Sequence, residues 1–255
     1  MIARVRGYVT LLYCAVTMVA FFLISLPVMV LTRSGDLPMW FAKYAWSPSC
    51  LWVAGARVEV NRTTPLPGGP LIFACNHESA LDIWALVASL PRIVRFIAKI
   101  ELFRMPVFGW YMRLGGHVPV DRTHRANAVA SLRKAGETVR AGTSLIVFPE
   151  GTRSKDGRVK PFKKGPFVVA YEAGVPVVPV AISGAGKITP KHHIAVTPGK
   201  IRIAIGEPVT PADFPDKEAL LVEVRRRVIA LHRSIGGLGG DERDAIAAAG
   251  AGATG

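Results

Sequence analysis

The sequence predicts an α/β fold with a seven-stranded, mostly parallel or mixed sheet flanked by helices, preceded by an N-terminal two-helix membrane hairpin. Residues 1–56 are strongly apolar and rich in aromatic side chains. Residues 57–235 alternate short β-rich runs with amphipathic stretches, which favours strands joined by helical crossovers. Residues 236–255 are dominated by glycine and alanine. These three regions are the predicted membrane motif, α/β domain and disordered tail.

The charge of the chain indicates the class of its partners. Among 255 residues there are 32 Lys and Arg against 18 Asp and Glu, which gives a formal net charge of +14. A positive field around the protein attracts anionic partners. Nucleic acid and an anionic membrane surface are the two candidates, and the N-terminal region distinguishes between them.

A stretch without charged side chains runs from Gly7 to Thr32. As a helix it would extend roughly 39 Å at about 1.5 Å per residue, and the hydrocarbon core of a bilayer is about 30 Å thick. A cleavable signal peptide is the alternative, because Arg4 and Arg6 precede the apolar run. The run is longer than the apolar region of a signal peptide, and no small-residue cleavage site follows Leu31. The segment therefore favours a membrane over nucleic acid as the partner.

A second mostly apolar segment, from Leu37 to Val58, predicts that the chain enters the membrane and returns. By the positive-inside rule the first arginines hold the N-terminus in the cytoplasm, so a single crossing would leave the body outside. A hairpin that breaks at residues 32–36 keeps the body on the cytoplasmic side. The three cysteines are odd in number and unpatterned, which also fits a reducing compartment. The alternative is one span followed by a buried core helix.

Seven segments have the length and composition of strands, and four between and after them have the apolar spacing of helices. The predicted strands are Arg57 to Val60, Pro70 to Cys75, Val94 to Lys99, His117 to Val120, Thr143 to Phe148, Val177 to Ile182 and Lys200 to Ile205. The predicted helices are Ser79 to Leu90, Arg125 to Arg140, Pro166 to Ala173 and Lys217 to Ser234. Residues 236–255 cannot bury enough apolar surface to offset the entropy of ordering, which predicts disorder.

Polar residues follow the second predicted strand, where the chain reads Asn-His-Glu-Ser-Ala-Leu-Asp from residue 76 to residue 82. Sites in open α/β sheets gather at such carboxyl ends of strands. With His77 in the turn and Asp82 in the first helical turn, the carboxylate can fold back onto the imidazole and fix its tautomer, as a general base requires. The alternative is structural, because Ser79 and Asp82 also have capping-box spacing.

A second polar turn follows the fifth predicted strand and reads Phe-Pro-Glu-Gly-Thr-Arg-Ser from residue 148 to residue 154. Gly151 permits a tight backbone, Thr152 supplies a hydroxyl, and Arg153 presents the planar fork that suits a phosphate monoester. Glu150 either orders the turn or hydrogen-bonds a substrate. The alternative is a structural turn with a solvated arginine.

Together the two turns resemble the glycerolipid acyltransferase family, and most of all its 1-acylglycerol-3-phosphate (lysophosphatidic acid) acyltransferases. Residues 96–102, with Pro106, Gly109 and residues 121–122, resemble the second block of that family, and residues 175–181 resemble its fourth. The resemblance covers roughly residues 70 to 185, and the block from residue 148 to residue 154 is highly specific.

The resemblance implies an enzyme: a membrane-bound O-acyltransferase that moves a fatty acyl group from a thioester donor to the free hydroxyl of lysophosphatidic acid, giving phosphatidic acid in phospholipid biosynthesis. It implies that His77 is the general base and that Asp82 orients it. The residues that it implies for holding the acceptor phosphate are Lys99, Arg122, Glu150, Gly151, Thr152 and Arg153. No cofactor or metal is implied, since acyl-CoA or acyl carrier protein enters as a co-substrate. With the hairpin, we expect the inner (cytoplasmic) membrane of a bacterial-type cell, with the active site facing the cytoplasm.

Other hypotheses remain open beside this one. The acceptor is alternatively glycerol 3-phosphate or another lysolipid, and the donor, the acyl length and the oligomeric state are not predicted. From a different class, a non-catalytic basic protein would bind membranes or nucleic acid through its charge. The basic run from Lys155 to Lys164 is either a solvated face or a contact for anionic headgroups or a phosphate-rich donor.

Three further motifs are not expected to carry chemistry. Cys75 has no supporting signature of a nucleophile and is expected to be a buried thiol. His192 and His193 lack the partner set of a metal site. Gly184 to Lys187 is similar to a nucleotide-binding loop but lacks its first glycine and its Ser or Thr, which argues against nucleotide hydrolysis.

Overall fold

The computed structural model describes residues 1–121, 125–190 and 193–240. Its strands are β1 (Ala56–Arg62), β2 (Ile72–Cys75), β3 (Val94–Lys99), β4 (Val118–Val120), β5 (Ser144–Val147), β6 (Val177–Ser183) and β7 (Gly199–Ile205). They form one sheet in the order β1-β7-β6-β2-β5-β3-β4. Neighbouring strands are parallel except β6 and β7, which are antiparallel. The predicted seven-stranded, mostly parallel or mixed sheet is confirmed.

The helices cover both faces of the sheet. They are α1 (Ile2–Thr32), α2 (Asp36–Phe41), α3 (Ser47–Val53), α4 (Leu81–Ser89), α5 (Ile100–Arg104), α6 (Phe108–Leu114), α7 (Arg125–Arg140), α8 (Gly165–Ala173), α9 (Ala185–Ile188) and α10 (Lys217–Ser234), with a π-helix at Ala42–Trp46 and a 3₁₀ turn at Pro211–Asp213. Alternate residues of β2 point to opposite faces: Phe73 joins the core beneath α3 and α4, and Ile72 joins the core beneath α8 and α10. Burial on both faces explains why the central strands are continuous apolar runs.

The N-terminal region contains, in the described part of the chain, one helix long and apolar enough to cross a membrane, and the predicted pair is not shown. That helix is α1. The second predicted arm is divided into α2, the π-helix and α3. Inside it Lys43 is buried and donates hydrogen bonds to the carbonyl oxygens of Ala88 and Leu90 at the end of α4. This arm therefore packs against the α/β domain, where the prediction placed a membrane helix.

The C-terminal segment begins with ordered contacts where disorder was predicted. The backbone N–H of Gly237 donates to the carbonyl oxygen of His232, and the carbonyl oxygen of Gly239 accepts from Val159. A Cβ atom on Gly240 would lie 2.6 Å from the carbonyl oxygen of Val159, so the absence of a side chain permits this approach. Residues 236–240 thus pack on the domain, and residues 241–255 lie outside the described residues.

Candidate active site

The turn after β2 is anchored to the sheet by Asn76. Its side-chain amide donates to the carbonyl oxygen of Ile182 at 2.9 Å, and its side-chain oxygen accepts from the backbone N–H of Ile182 at 2.8 Å. Asn76 is buried, and the amide satisfies both backbone groups of one residue in β6. The side chain that follows it is therefore presented from a fixed backbone.

His77 and Asp82 are in direct contact, as their spacing predicted. Nδ1 of His77 lies 2.7 Å from Oδ2 of Asp82, and the same oxygen accepts the backbone N–H groups of Glu78 and Ser79 at 2.7 and 2.9 Å. The carboxylate of Asp82 therefore binds the imidazole of His77 and also stabilises the backbone of the turn. An acceptor at Nδ1 places the imidazole proton there and leaves the lone pair on Nε2.

This pair is largely buried. Asp82 is fully buried, and burial raises the pKa of its carboxyl group, opposed by the hydrogen bond and charge of His77 and by the two backbone N–H groups. The imidazole of His77 stacks on Phe148, with ring centroids 4.0 Å apart, and its side chain is 15% exposed. The ring is held on one side by a carboxylate and on one face by an aromatic ring, and it remains accessible.

The Phe148–Ser154 turn is joined to the histidine turn through the backbone. Oε1 of Glu150 accepts the N–H of His77 at 3.0 Å, and the N–H of Ser154 donates to the carbonyl oxygen of His77 at 2.7 Å. Burial raises the pKa of Glu150 to about 7, opposed by the backbone N–H groups of His77 and Lys160. This position fits the ordering role for Glu150, one of the two roles that its sequence allowed.

The tip of the same turn faces outward. Gly151 has φ +72°, a conformation that glycine adopts without strain. Thr152 is exposed and Arg153 is half-buried, and the carbonyl oxygen of Arg153 accepts from Nζ of Lys160 at 2.9 Å. Thr152 and Arg153 are thus carried by a turn whose backbone is held on both sides.

Lys99 ends β3, and its side chain is exposed. The strands β2, β5 and β3 are parallel neighbours, so their carboxyl ends lie at one edge of the sheet. Lys99 therefore shares that edge with the turns of His77 and Glu150. Arg122, the other predicted phosphate ligand, lies outside the described residues, as does His192.

The basic run after this turn has partly structural roles. Lys160 bonds the carbonyl oxygen of Arg153, and Lys164 forms an ion pair of 3.2 Å with Glu218 of α10. Phe162 between them is buried in the core. Lys155 and Arg158 are exposed and remain available to anionic groups.

Cys75 is the buried thiol that was expected. Burial raises its pKa well above the ordinary value, and the charges of Asp82, Glu150 and Glu78 act in the same direction. A thiol in such surroundings is a poor nucleophile. In the described part of the chain no group of three His, Cys, Asp or Glu residues is arranged to hold a metal ion.

Two contacts of the site were not anticipated from sequence, although the residues lie in the motifs. The stacking of Phe148 on His77 and the bonding of Asn76 to Ile182 each join distant parts of the chain. The only available signal was the placement of these residues beside two polar strand ends. The arrangement as a whole offers a basic imidazole nitrogen beside a turn that carries a hydroxyl and a guanidinium, which suits deprotonation of a phosphate-bearing alcohol.

Comparisons with known proteins identify the family of the chain. The acyltransferase family model matches residues 57–183. A chloroplast 1-acyl-sn-glycerol-3-phosphate acyltransferase of Brassica napus is 41% identical over 65% of this chain and 47% of its own length. The alpha form of that enzyme from Mus musculus is 32% identical over 75% of this chain and 70% of its own length.

A solved structure has the same fold. The crystal structure of the 1-acyl-sn-glycerophosphate (LPA) acyltransferase PlsC from Thermotoga maritima superposes with a TM-score of 0.76 and 29% identity, covering 92% of this chain and 98% of that one. The chain spans about half the length of the plant relative from Brassica. The matched region, the relatives and the shared fold show that the chain belongs to the 1-acyl-sn-glycerol-3-phosphate acyltransferase family.

Proposed function

We propose that the protein transfers a fatty acyl group from a thioester donor to the free hydroxyl of lysophosphatidic acid, making phosphatidic acid for phospholipid biosynthesis. The observation that carries this proposal is the 2.7 Å bond between His77 and Asp82, which leaves a basic nitrogen beside the turn that bears Arg153. The names of the relatives support the choice of substrate.

The reaction needs no covalent intermediate on the enzyme. Nε2 of His77 accepts the proton of the acceptor hydroxyl, and that oxygen attacks the thioester carbonyl carbon. The carbon–sulfur bond breaks, and the leaving thiolate takes the proton from the imidazolium. Asp82 stabilises the imidazolium while it exists. Base catalysis of this kind contributes about 10² to 10⁴ in rate, and positioning of the two substrates contributes the rest.

The acceptor phosphate is proposed to bind Arg153 and Thr152, with Lys99 and Arg122 as further cations. Arg153 supplies two N–H groups in a plane, which matches two phosphate oxygens. Glu150 and Gly151 shape the turn. The donor is proposed to be acyl-CoA or acyl carrier protein, which the exposed Lys155 and Arg158 would attract through its phosphate groups.

The membrane is proposed as the location, with α1 embedded along its surface. The carbonyl oxygen of Ala3 accepts from the N–H of Val196 at 2.9 Å, and Phe22 stacks on Tyr111 with centroids 4.3 Å apart. The α/β domain therefore contacts α1 near its start and again beyond its middle, which a helix crossing the bilayer would not allow. Many apolar side chains of α1 remain exposed, for example Leu12 and Ile24. We propose that these enter one leaflet of a cytoplasmic membrane whose cytoplasmic side carries the active site.

The proposed substrate is tested with purified protein, one acyl-CoA, one acyl carrier protein thioester and a panel of acceptors. We expect phosphatidic acid from lysophosphatidic acid, detected by mass spectrometry. Turnover of glycerol 3-phosphate or another lysolipid without turnover of lysophosphatidic acid would refute the acceptor.

The proposed base is tested by replacing His77 with alanine. We expect acyl transfer to be lost while binding to anionic vesicles is retained. The control is Arg133→Ala, since this side chain is exposed on α7 and pairs with Glu137 of the same helix. An active His77→Ala protein would rule out the base assignment, and salt-sensitive vesicle binding without acyl transfer in the wild type would favour a non-catalytic basic protein.

A further inference from the structure

Glu78 and His232 form a second histidine–carboxylate pair. Glu78 directly follows His77 in the chain, whereas His232 lies in α10. Oε1 of Glu78 lies 3.2 Å from Nε2 of His232. His232 is fully buried and Glu78 is 7% exposed. Buried polar groups persist where partners satisfy them, so the remaining partners of this pair identify what it holds in place.

The other carboxylate oxygen of Glu78 holds the turn after β6. Oε2 accepts the backbone N–H groups of Gly184 and Gly186, each at 3.1 Å. Gly184 has φ +97°, and a Cβ atom there would lie 2.3 Å from the carbonyl oxygen of Lys200. The turn after β6 therefore packs closely between β7 and the carboxylate of Glu78. Since Glu78 follows His77 in the chain, this contact connects the turn after β6 to the proposed base.

His232 has no free ring nitrogen. Its Nδ1 accepts the backbone N–H of Gly239 at 3.0 Å, so the ring proton of the neutral form lies on Nε2, which donates to Glu78. This tautomer is the opposite of that in His77, where Nδ1 donates and Nε2 is left as the base. His232 therefore cannot accept a substrate proton, and its contribution is positional.

The same C-terminal region also reaches the second turn of the site. The carbonyl oxygen of Gly239 accepts from Val159 at 2.9 Å, and Nε of Arg225 in α10 donates to the carbonyl oxygen of Lys160 at 3.2 Å. Nζ of Lys160 in turn donates to the carbonyl oxygen of Arg153. The helix α10 and residues 236–240 are thus hydrogen-bonded to the His77 turn through Glu78, and to the turn of Arg153 through Lys160.

We propose that Glu78 and His232 are positioning residues for acyl transfer. Through them α10 holds the turn of His77 in register with the turn of Arg153, so that the base and the phosphate ligand meet the same acceptor molecule. This proposal rests on the proposed function, because it assigns a role within that reaction.

The isosteric change Glu78→Gln tests the pair, because the carboxylate accepts hydrogen bonds from three donors and an amide has only one accepting oxygen. If the amide oxygen faces Gly184 and Gly186, the amide N–H₂ faces the N–H of His232. If the amide is turned round, it meets the two glycine N–H groups. Either way two donors oppose each other in a buried place. We expect kcat to fall about 10-fold or more with little change in the KM of the acceptor.

His232→Gln provides the rescue. A glutamine at position 232 can present its N–H₂ to Glu78 while its oxygen accepts from Gly239. Turned round, its oxygen accepts from Gln at position 78 and its N–H₂ opposes the N–H of Gly239, so the opposed donors lie one residue farther from the His77 turn. We expect His232→Gln alone to keep kcat within about 3-fold of the wild type, and the double variant Glu78→Gln/His232→Gln to recover part of the activity lost in Glu78→Gln. Additive losses in the double variant would overturn the proposal.

The surface change Glu223→Gln is the matched control, since this glutamate lies on α10 and pairs only with Arg226 and Arg227 among the contacts described. We expect it to leave kcat unchanged. If Glu78→Gln lowers the melting temperature but keeps kcat per folded molecule, the pair is merely structural and the proposal fails. If Glu78→Gln gives no folded protein, the kcat values of His232→Phe and His232→Gln are compared instead. Phenylalanine keeps a ring but lacks the N–H that donates to Glu78, so equal kcat values overturn the proposal.

A failure of the proposed function is distinguished from a failure of this positioning role. If wild-type protein turns over no lysophosphatidic acid, the acceptor is wrong, and the pair is then tested on whichever acceptor is used. Nitrogen-15 NMR of the histidine rings gives a readout without any substrate. We expect an Nε2-protonated ring for His232 and an Nδ1-protonated ring for His77, with the His77 signals shifted in Glu78→Gln. Unshifted His77 signals in that variant would contradict the coupling.

Discussion

The backbone N–H of Ser154 donates a hydrogen bond of 2.7 Å to the carbonyl oxygen of His77. The N–H of His77 is bound as well, by Oε1 of Glu150 at 3.0 Å. Both backbone groups of His77, the proposed base, are therefore held by the turn that carries Arg153. A displacement of either turn moves the other, and the effects of substitutions in the two turns are expected to depend on each other.

Asp82→Asn should remove most of the activity. In the wild type one ionised oxygen of Asp82 accepts the Nδ1 proton of His77 and two backbone N–H groups. The neutral amide of asparagine accepts these hydrogen bonds more weakly, so the tautomer of the imidazole is no longer fixed. We expect kcat to fall about 10³- to 10⁴-fold. Steady-state kinetics measure the effect, and circular dichroism checks the fold. A folded Asp82→Asn protein with near-normal kcat would rule out the orienting role.

Glu150→Gln should change how stability depends on pH. Burial raises the pKa of Glu150 to about 7, above its ordinary value of 4.5, so the folded state binds the proton more tightly than the unfolded state. The free energy of unfolding should therefore fall as the pH rises from about 5 to 7, by at most about 1.4 kcal/mol per pH unit. Denaturant unfolding at several pH values should show this slope in the wild type and a smaller one in Glu150→Gln.

The control for that experiment is Glu223→Gln. Hydrogen bonds from Arg226 and Arg227 lower the pKa of Glu223 to about 2, so this carboxyl group does not titrate between pH 5 and 8. We expect Glu223→Gln to keep the slope of the wild type. An unchanged slope in Glu150→Gln would show that Glu150 does not titrate in this range.

Arg153→Lys separates charge from geometry in phosphate binding. Lysine keeps the positive charge but loses the planar pair of N–H groups, so we expect the KM for lysophosphatidic acid to rise about 10-fold. Arg153→Ala should raise it further. Arg133→Ala, on the exposed side of α7, serves as the control and should leave KM unchanged. Equal KM values for Arg153→Ala and the wild type would remove Arg153 from the phosphate site.

Lys43→Met should destabilise the protein without altering its chemistry. The substitution leaves the carbonyl oxygens of Ala88 and Leu90 without the ammonium group that they accept from, at the end of α4. We expect the free energy of unfolding to fall by about 1 to 3 kcal/mol. Denaturant unfolding in detergent measures this change. A fall in kcat per folded molecule would instead show that the contact between the π-helix and the end of α4 affects catalysis.

The sequence predicted what depends on local spacing. The strands followed from short apolar runs, and the His77–Asp82 contact followed from a turn that leads into a helix. It did not predict contacts between distant residues, such as Glu78 with His232, because nothing in either neighbourhood specifies the other. The ordered residues 236–240 were missed because a glycine-rich composition indicates disorder, whereas here the missing side chains allow close packing. The second arm was predicted to be a membrane helix because its local composition is mostly apolar. Its packing on the domain depends on the hydrogen bonds from Lys43 to the end of α4, which lies far along the chain.

The reversed direction of β7 determines where the N-terminal helices join the sheet. Because β7 runs opposite to β6 and β1 runs alongside β7, Ala56 at the start of β1 lies level with Gly199, beyond the carboxyl end of β6. The apolar N-terminal region thus enters the domain at the edge where Cys75 leads into His77. For the proposed reaction at a membrane surface, we therefore expect a lysolipid to keep its acyl tail among the neighbouring lipids while its headgroup reaches His77, without extraction from the bilayer.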